Sequence, residues 1–300
     1  MSAQAGAVDS EYSEEARGAA WVPSHPEWLV TTEFAGRNVK MTNVRTGEAV
    51  CKFGQYGQGP GEFDGLWGVA VSADSSLVIV ADRNNHRLQA LRLKVAADSK
   101  SAELEFDRFI GKGYGRGKGQ LMEPYGVALL RGTDGTETVL VSDDHRVSEF
   151  TLEGTFVRVF AGAAEPGSGE GEFNCPEGIA VLPSGEVAIA DMDNNRVQIF
   201  SRDGKYQRQF GTEGDADGEL QDPISLASDP TGNILVADFN THRLQVFSSE
   251  GKHLCTHNDL GLEGHCCKAL ALRGRQLAVV DEGALVVRPW LKGKMARSAA

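Results

Sequence analysis

The chain has 300 residues, 41% of them hydrophobic, with 36 glycines and 10 prolines. Glycine well above its usual share of about 7% calls for many turns, while the apolar content excludes a disordered chain and the scarcity of proline excludes collagen. With 30 Lys and Arg against 42 Asp and Glu the net charge is −12, which opposes long-range attraction to DNA, RNA or an anionic membrane.

No apolar run reaches the roughly 18 residues of a membrane span. The five cysteines include no Cys-x-x-Cys pair and there is no Asn-x-Ser/Thr sequon, the pattern of a reducing compartment, so a cytoplasmic protein is expected. Residues 1–17 are polar and acidic, carry neither a signal nor a transit pattern, and read as a disordered tail. The stretch EWLVTTEF around Glu33 is a worn first copy of a repeat that becomes explicit further on. VIVADRNNHRLQAL, ending at Leu91, VAIADMDNNRVQIF, ending at Phe200, and ILVADFNTHRLQVF, ending at Phe247, are one segment three times over. A degenerate copy, VLVSDDHRVSEF, ends at Phe150, and LAVVDEGALVVRPW closes the series. Their aspartates, Asp82, Asp143, Asp191, Asp238 and Asp281, stand 61, 48, 47 and 43 residues apart, the long step holding the insertions KVAADSKSAELE and RGTDGTET.

Each unit repeats one order: a short apolar run, a glycine turn, an apolar run ending in Asp, a polar loop, a run such as RVQIF, a second turn and a strand ending in Phe-Gly or similar. Runs rich in Val, Ile and Phe between Gly/Asp/Asn turns predict four antiparallel strands per unit, and no segment keeps helical spacing. Such a unit cannot bury both faces alone. The expectation is an all-β, six-bladed β-propeller of four-stranded antiparallel blades, one domain over 18–292 with a basic tail at 293–300, monomeric. Neither the acidic N-terminal tail nor KMARSAA has strand-like alternation, so no outer strand is assigned to the last blade.

The fourth unit, Gly171-Glu172-Phe173-x-x-Pro176-x-Gly178-Ile179-Ala180-Val181 and then Ala190-Asp191-x-x-Asn194-x-Arg196-Val197-Gln198-Ile199-Phe200, resembles the NHL repeat. The resemblance runs from about Ala19 to Trp290 and is weakest in the first and last units, which lack the Asn-x-Arg element. It implies a six-bladed NHL propeller. In tripartite-motif ubiquitin ligases such propellers follow RING and coiled-coil regions and select what is modified. Five scattered cysteines build no RING, so the resemblance implies the recognition half alone: a non-enzymatic scaffold for a protein or peptide partner, related to protein ubiquitination.

The Asp-x-x-Asn-x-Arg element places a carboxylate, an amide and a guanidinium in one loop, but its repetition argues for a local structural bond in every blade and against a single asymmetric catalytic centre. His86, His145 and His242 are read as turn residues, since Asn195 holds the same place in another copy. Alignment on Ile179 puts Ala19, Trp67, Tyr125, Glu177, Ile224 and Cys267 at one position, which by resemblance lies at the channel mouth. Trp67, Tyr125, Glu177, Ile224 and Cys267 are the candidate partner-binding residues, with the aromatic area and single charge of an interaction hot spot; the alternative is that they plug the channel. Amidating lyases with NHL repeats carry zinc-binding histidines in this context and lactonase-like propellers several carboxylates, and one Glu with one Cys supplies neither. A metal-dependent lyase or lactonase is the second alternative.

RNA binding is the first alternative. It rests on Lys112, Tyr114, Arg116 and Lys118 in the basic loop GKGYGRGKGQLMEP, which lacks the Ser/Thr of a phosphate loop. His253, Cys255 and His257 alternate along one strand, followed by His265, Cys266 and Cys267. These six groups are where a zinc ion would gather, but no standard ligand spacing is present. No metal or other cofactor is expected.

Overall fold

The computed structural model describes residues 15–260, 267–281, 284–291 and 294–295. The alternating apolar runs form six four-stranded antiparallel sheets arranged in chain order. Their innermost strands are Ala16–Trp21, Leu66–Val71, Pro124–Arg131, Pro176–Val181, Pro223–Ser228 and Ala269–Arg273, and each packs beside the innermost strands of its neighbours. The described residues contain no α-helix, only single 3-10 turns at Arg83–Asn85 and Met192–Asn194. The molecule is the six-bladed propeller expected from the repeat.

Hydrophobic alternation explains where the core sits. Each blade buries one face against the next, so the core is divided into wedges. One holds Ile79 and Ala81 of the second blade with Val139 and Val141 of the third, and another holds Ala188 and Ala190 of the fourth with Val236 of the fifth. The wedge that closes the ring joins Trp21 and Leu29 to Ala271, Ala278 and Val280.

Closure uses no exchanged strand. The first blade is made wholly from the first described residues, 16–53. The last blade, to which no outer strand was assigned from the sequence, takes a two-residue one from the segment thought incapable of it: Lys294–Met295 pairs with Trp290 and Leu291. Side chains reach across the seam instead. Trp21 Nε1 donates to the Ala271 carbonyl at 3.1 Å, and Arg273 donates to the carbonyls of Val22 and Pro23 at 3.0 and 2.8 Å. The described strands begin at Ala16 and end at Met295, just outside the 18–292 span read from the sequence.

The KVAADSKSAELE insertion lengthens the outer hairpin of the second blade to Arg87–Val95 and Ala102–Ile110. Its Leu93, Ala102 and Leu104 are buried with Val50, Cys51 and Phe53 beside them, so the extension covers the outer strand of the first blade, Ala49–Phe53. A sheet edge covered in this way is protected from pairing with another chain.

Candidate functional site

The repeated polar residues organise the face on which each new blade begins. In the fourth blade Asp191 accepts from the Asn174 backbone N–H at 2.8 Å, from Asn194 Nδ2 at 3.0 Å, from Arg196 Nε at 2.7 Å and from Gln198 Nε2 at 3.1 Å. Arg196 then donates to the carbonyls of Ser168, Gly169 and Glu172, tying the crossing from the previous blade to the loop. Asp82 with Arg87 and Asp238 with Arg243 repeat the arrangement, each ion pair at 2.8 Å. These aspartates are fully buried, and a buried carboxylate that accepts from this many donors is a structural pin.

Strand register locates the channel mouth. In the first five blades the pairing of innermost and second strands slips at the same place, between Ala16 and Gly18, Leu66 and Val69, Pro124 and Val127, Pro176 and Ile179, and Pro223 and Ser225. A bulge of this kind leaves a residue unpaired and re-aims its side chain. The residues set free are Arg17, Trp67, Tyr125, Glu177 and Ile224. In the sixth blade Ala269 pairs with Val280, which makes Lys268 their counterpart. A small residue follows each of them, and it is required: a Cβ on Gly68 would stand 2.5 Å from the Tyr125 carbonyl oxygen, and one on Gly178 2.8 Å from that of Ile224.

The ring expected from the sequence is therefore corrected at two of its six places. Cys267 is fully buried among Leu244, Leu270 and Trp290, and Lys268 takes the mouth position. In the first blade Arg17, two residues before Ala19, occupies it. Alignment on apolar residues slipped because neither terminal blade has the Pro-x-Gly guide. The small residue after the mouth position, Gly18 or Ala269, was the signal that would have found both.

Arg17, Trp67, Glu177, Ile224 and Lys268 line a cavity of about 80 Å³ on the propeller axis. Tyr125 sits beside it, only 8% exposed. Burial pushes the Glu177 carboxyl up from 4.5 to about 7, against the opposing pull of Arg17, a hydrogen bond from Trp67 and the charge of Arg83. Burial likewise raises the Tyr125 phenol and the Cys175 thiol beside it, the latter to about 12.

A contact strip runs from this cavity to the rim. The Arg17 guanidinium lies 4.9 Å from the Trp67 ring centroid, and Trp67 meets Tyr125 edge to face at 5.4 Å. Arg83 covers the Tyr125 ring at 5.0 Å, donates to its hydroxyl at 3.1 Å and pairs with Glu123. The Glu123 N–H donates to His86 Nδ1 at 3.1 Å, and the His86 ring packs 4.8 Å from that of Tyr114. Tyr114 and its counterpart in the preceding crossing, Tyr56, are 64% and 66% exposed. Arg83, Glu123 and Arg17 were not singled out from the sequence, because they come from three different segments.

The other candidates are placed differently. In the basic loop Lys112, Tyr114, Arg116 and Lys118 are exposed, but Arg116 is held by Asp144 at 2.5 Å and Glu165 at 3.5 Å. His265 and Cys266 lie outside the described residues. His253 contacts Thr256, and Cys255 lies 3.6 Å from His257, while Cys267 faces the core. Among the described residues no group of three or more His, Cys, Asp or Glu converges as a metal site, and no helix is long and apolar enough to cross a membrane.

The NHL repeat family matches residues 63–91, 173–200 and 220–247, which contain three of the turn aspartates pinned in the blades. The chain is an NHL-repeat β-propeller. This NHL propeller is 30% identical over 161 residues to Protein brain tumor of Drosophila melanogaster, a match covering 54% of the chain and 14% of that protein. It is 50% identical over 48 residues to RING finger protein nhl-1 of Caenorhabditis elegans, covering 16% of the chain and 5% of that protein. The matches thus span only a small part of these relatives. Among solved structures, a gluconolactonase of Xanthomonas campestris superimposes with a TM-score of 0.65 at 16% identity, over 94% of this chain and 88% of that one. Virginiamycin B lyase of Staphylococcus aureus gives 0.60 at 12% identity, over 97% and 85%. At such identities the likeness is one of fold.

Proposed function

We propose that this NHL propeller is a non-enzymatic scaffold that binds a protein or peptide partner across its mouth face. The observation that carries this reading is the strip from Arg17 through Trp67, Arg83 and Tyr125 to Tyr114, with two tyrosines exposed at the rim. Aromatic rings stacked with Arg form the composition of interface hot spots. At the mouth face the cavity of about 80 Å³ is well below the roughly 300–1,000 Å³ of small-molecule pockets, which favours an extended surface contact on this face. The role of substrate recognition in ubiquitin ligation is the finer form of the proposal, supported by the match to a RING finger protein.

Selection of a peptide library on the whole chain tests the reading. A selected peptide is expected to lose about 30-fold in affinity on Tyr114→Ala, the equivalent of roughly 2 kcal/mol, and nothing on Val157→Ser in the outer strand of the third blade. Selection of no peptide, together with oligouridylate binding that falls steeply with salt, would replace this reading by RNA binding.

A further inference from the structure

We infer that the channel mouth recognises a carboxylate of the bound partner, held between Arg17 and Lys268. The inference rests on the reading that the partner is a protein or peptide, and names the group it inserts.

The argument starts from charge. In a chain of net charge −12 the axial cavity is lined by two cations, Arg17, which pairs with Glu15 at 2.9 Å, and Lys268, whose Nζ lies 5.6 Å from the Phe239 ring centroid, and by one carboxylate, Glu177. Lys268 and Glu177 are each only 6% exposed, so these charges act where water screens them little. The second observation concerns donors. The Nε groups of Arg17 and Arg83 are buried and meet no acceptor, although both guanidiniums lie close to the Trp67 ring, at 4.9 and 5.4 Å from its centroid. Buried donors are almost always satisfied, and of these two residues Arg17, which lines the cavity, brings an unmet donor to the place where an acceptor would enter. Size is the third. A cavity of about 80 Å³ has room for several waters, and a carboxylate group is small enough to replace them.

Glu177 makes the site sensitive to protons. The charged and titratable groups around it are Arg17 of the first blade, Arg83 of the second, Tyr125 of the third, Cys175 and Asp193 of its own and Lys268 of the sixth. With its carboxyl raised to about 7 by burial, a second carboxylate drawn in beside it holds the proton on Glu177 more firmly. Binding then takes up a proton, and affinity falls as pH rises from 6 to 8.

The experiment uses the whole chain and a peptide selected on it, remade with each Asp or Glu replaced in turn by its amide, and with the C-terminus free or amidated. One replacement is expected to weaken binding at least tenfold; a side-chain replacement identifies an Asp or Glu, and amidation identifies a terminal carboxylate. The same replacement should change nothing further on Arg17→Gln or Lys268→Met, and Glu177→Gln should remove the pH dependence. A peptide indifferent to every replacement overturns the inference and leaves the scaffold reading standing. Selection of no peptide, or binding of oligouridylate in its place, overturns both. Because the first comparison alters only the peptide, it decides the matter even where a protein variant fails to fold.

Discussion

Arg83 and Tyr125 are locked together in two ways: the guanidinium donates to the tyrosine hydroxyl at 3.1 Å and its face lies 5.0 Å from the ring centroid. Arg83 comes from the hairpin turn of the second blade and Tyr125 from the innermost strand of the third. The pair therefore fixes two blades at the mouth, and it orients the tyrosine against Trp67.

Tyr125 is expected to keep its proton where ordinary phenols lose theirs, since burial raises its affinity for it. An absorbance titration to pH about 11, past the ordinary tyrosine value of about 10, should give the same phenolate amplitude for wild type and Tyr125→Phe. A smaller amplitude in the variant would show Tyr125 ionising with the rest.

Glu177 gives a stability profile with a definite sign. Its folded value of about 7 lies above the ordinary 4.5, so the folded state binds the proton more tightly. The contribution is complete below about pH 4.5 and is lost as pH rises to about 7. Glu177→Gln, always neutral, should gain about 3 kcal/mol relative to wild type between pH 4.5 and pH 8. Urea melts at the two pH values measure this, and an equal difference at both would refute it.

Removing a pin from the turn network should cost far more than an exposed charge would. Asp191→Ala leaves Arg196 buried without its carboxylate, and a loss of about 3–5 kcal/mol is expected in urea unfolding. Adding Arg196→Met should restore part of it, because the two residues are coupled. Strict additivity of the two losses would argue that the pair is not a unit.

Gly68→Ala should lower the melting temperature, since its Cβ meets the Tyr125 carbonyl oxygen at 2.5 Å and the Val127 nitrogen at 2.8 Å. Overpacking of this kind costs about 1–3 kcal/mol, occasionally more. An unchanged melting curve would mean that the blades can part at the channel freely.

Much of the fold was legible because each blade states it locally. A run such as VAIAD, a polar loop and RVQIF specify a hairpin through alternation and turn chemistry alone, and the repeated Asp and Arg mark where the loop is pinned. The outer strand of the last blade was not legible: Lys294–Met295 is two residues long, too short to carry a pattern. At the mouth Trp67, Tyr125, Glu177 and Ile224 were readable from the Pro-x-Gly context or its neighbours, whereas Arg17 and Lys268 were marked only by the small residue that follows each.

By itself the sequence determined six similar units, their strands and their buried alternation, since these depend on neighbours a few residues apart. Which side chains share the axis was decided only in three dimensions. In the first five blades a bulge sets which residue reaches the mouth, and in the sixth, whose described pairing is regular from Ala269 on, Lys268 lines the cavity while Cys267 lies in the core. The same holds for the strip from Arg17 to Tyr114, whose members are brought together by the packing of the first three blades around the channel.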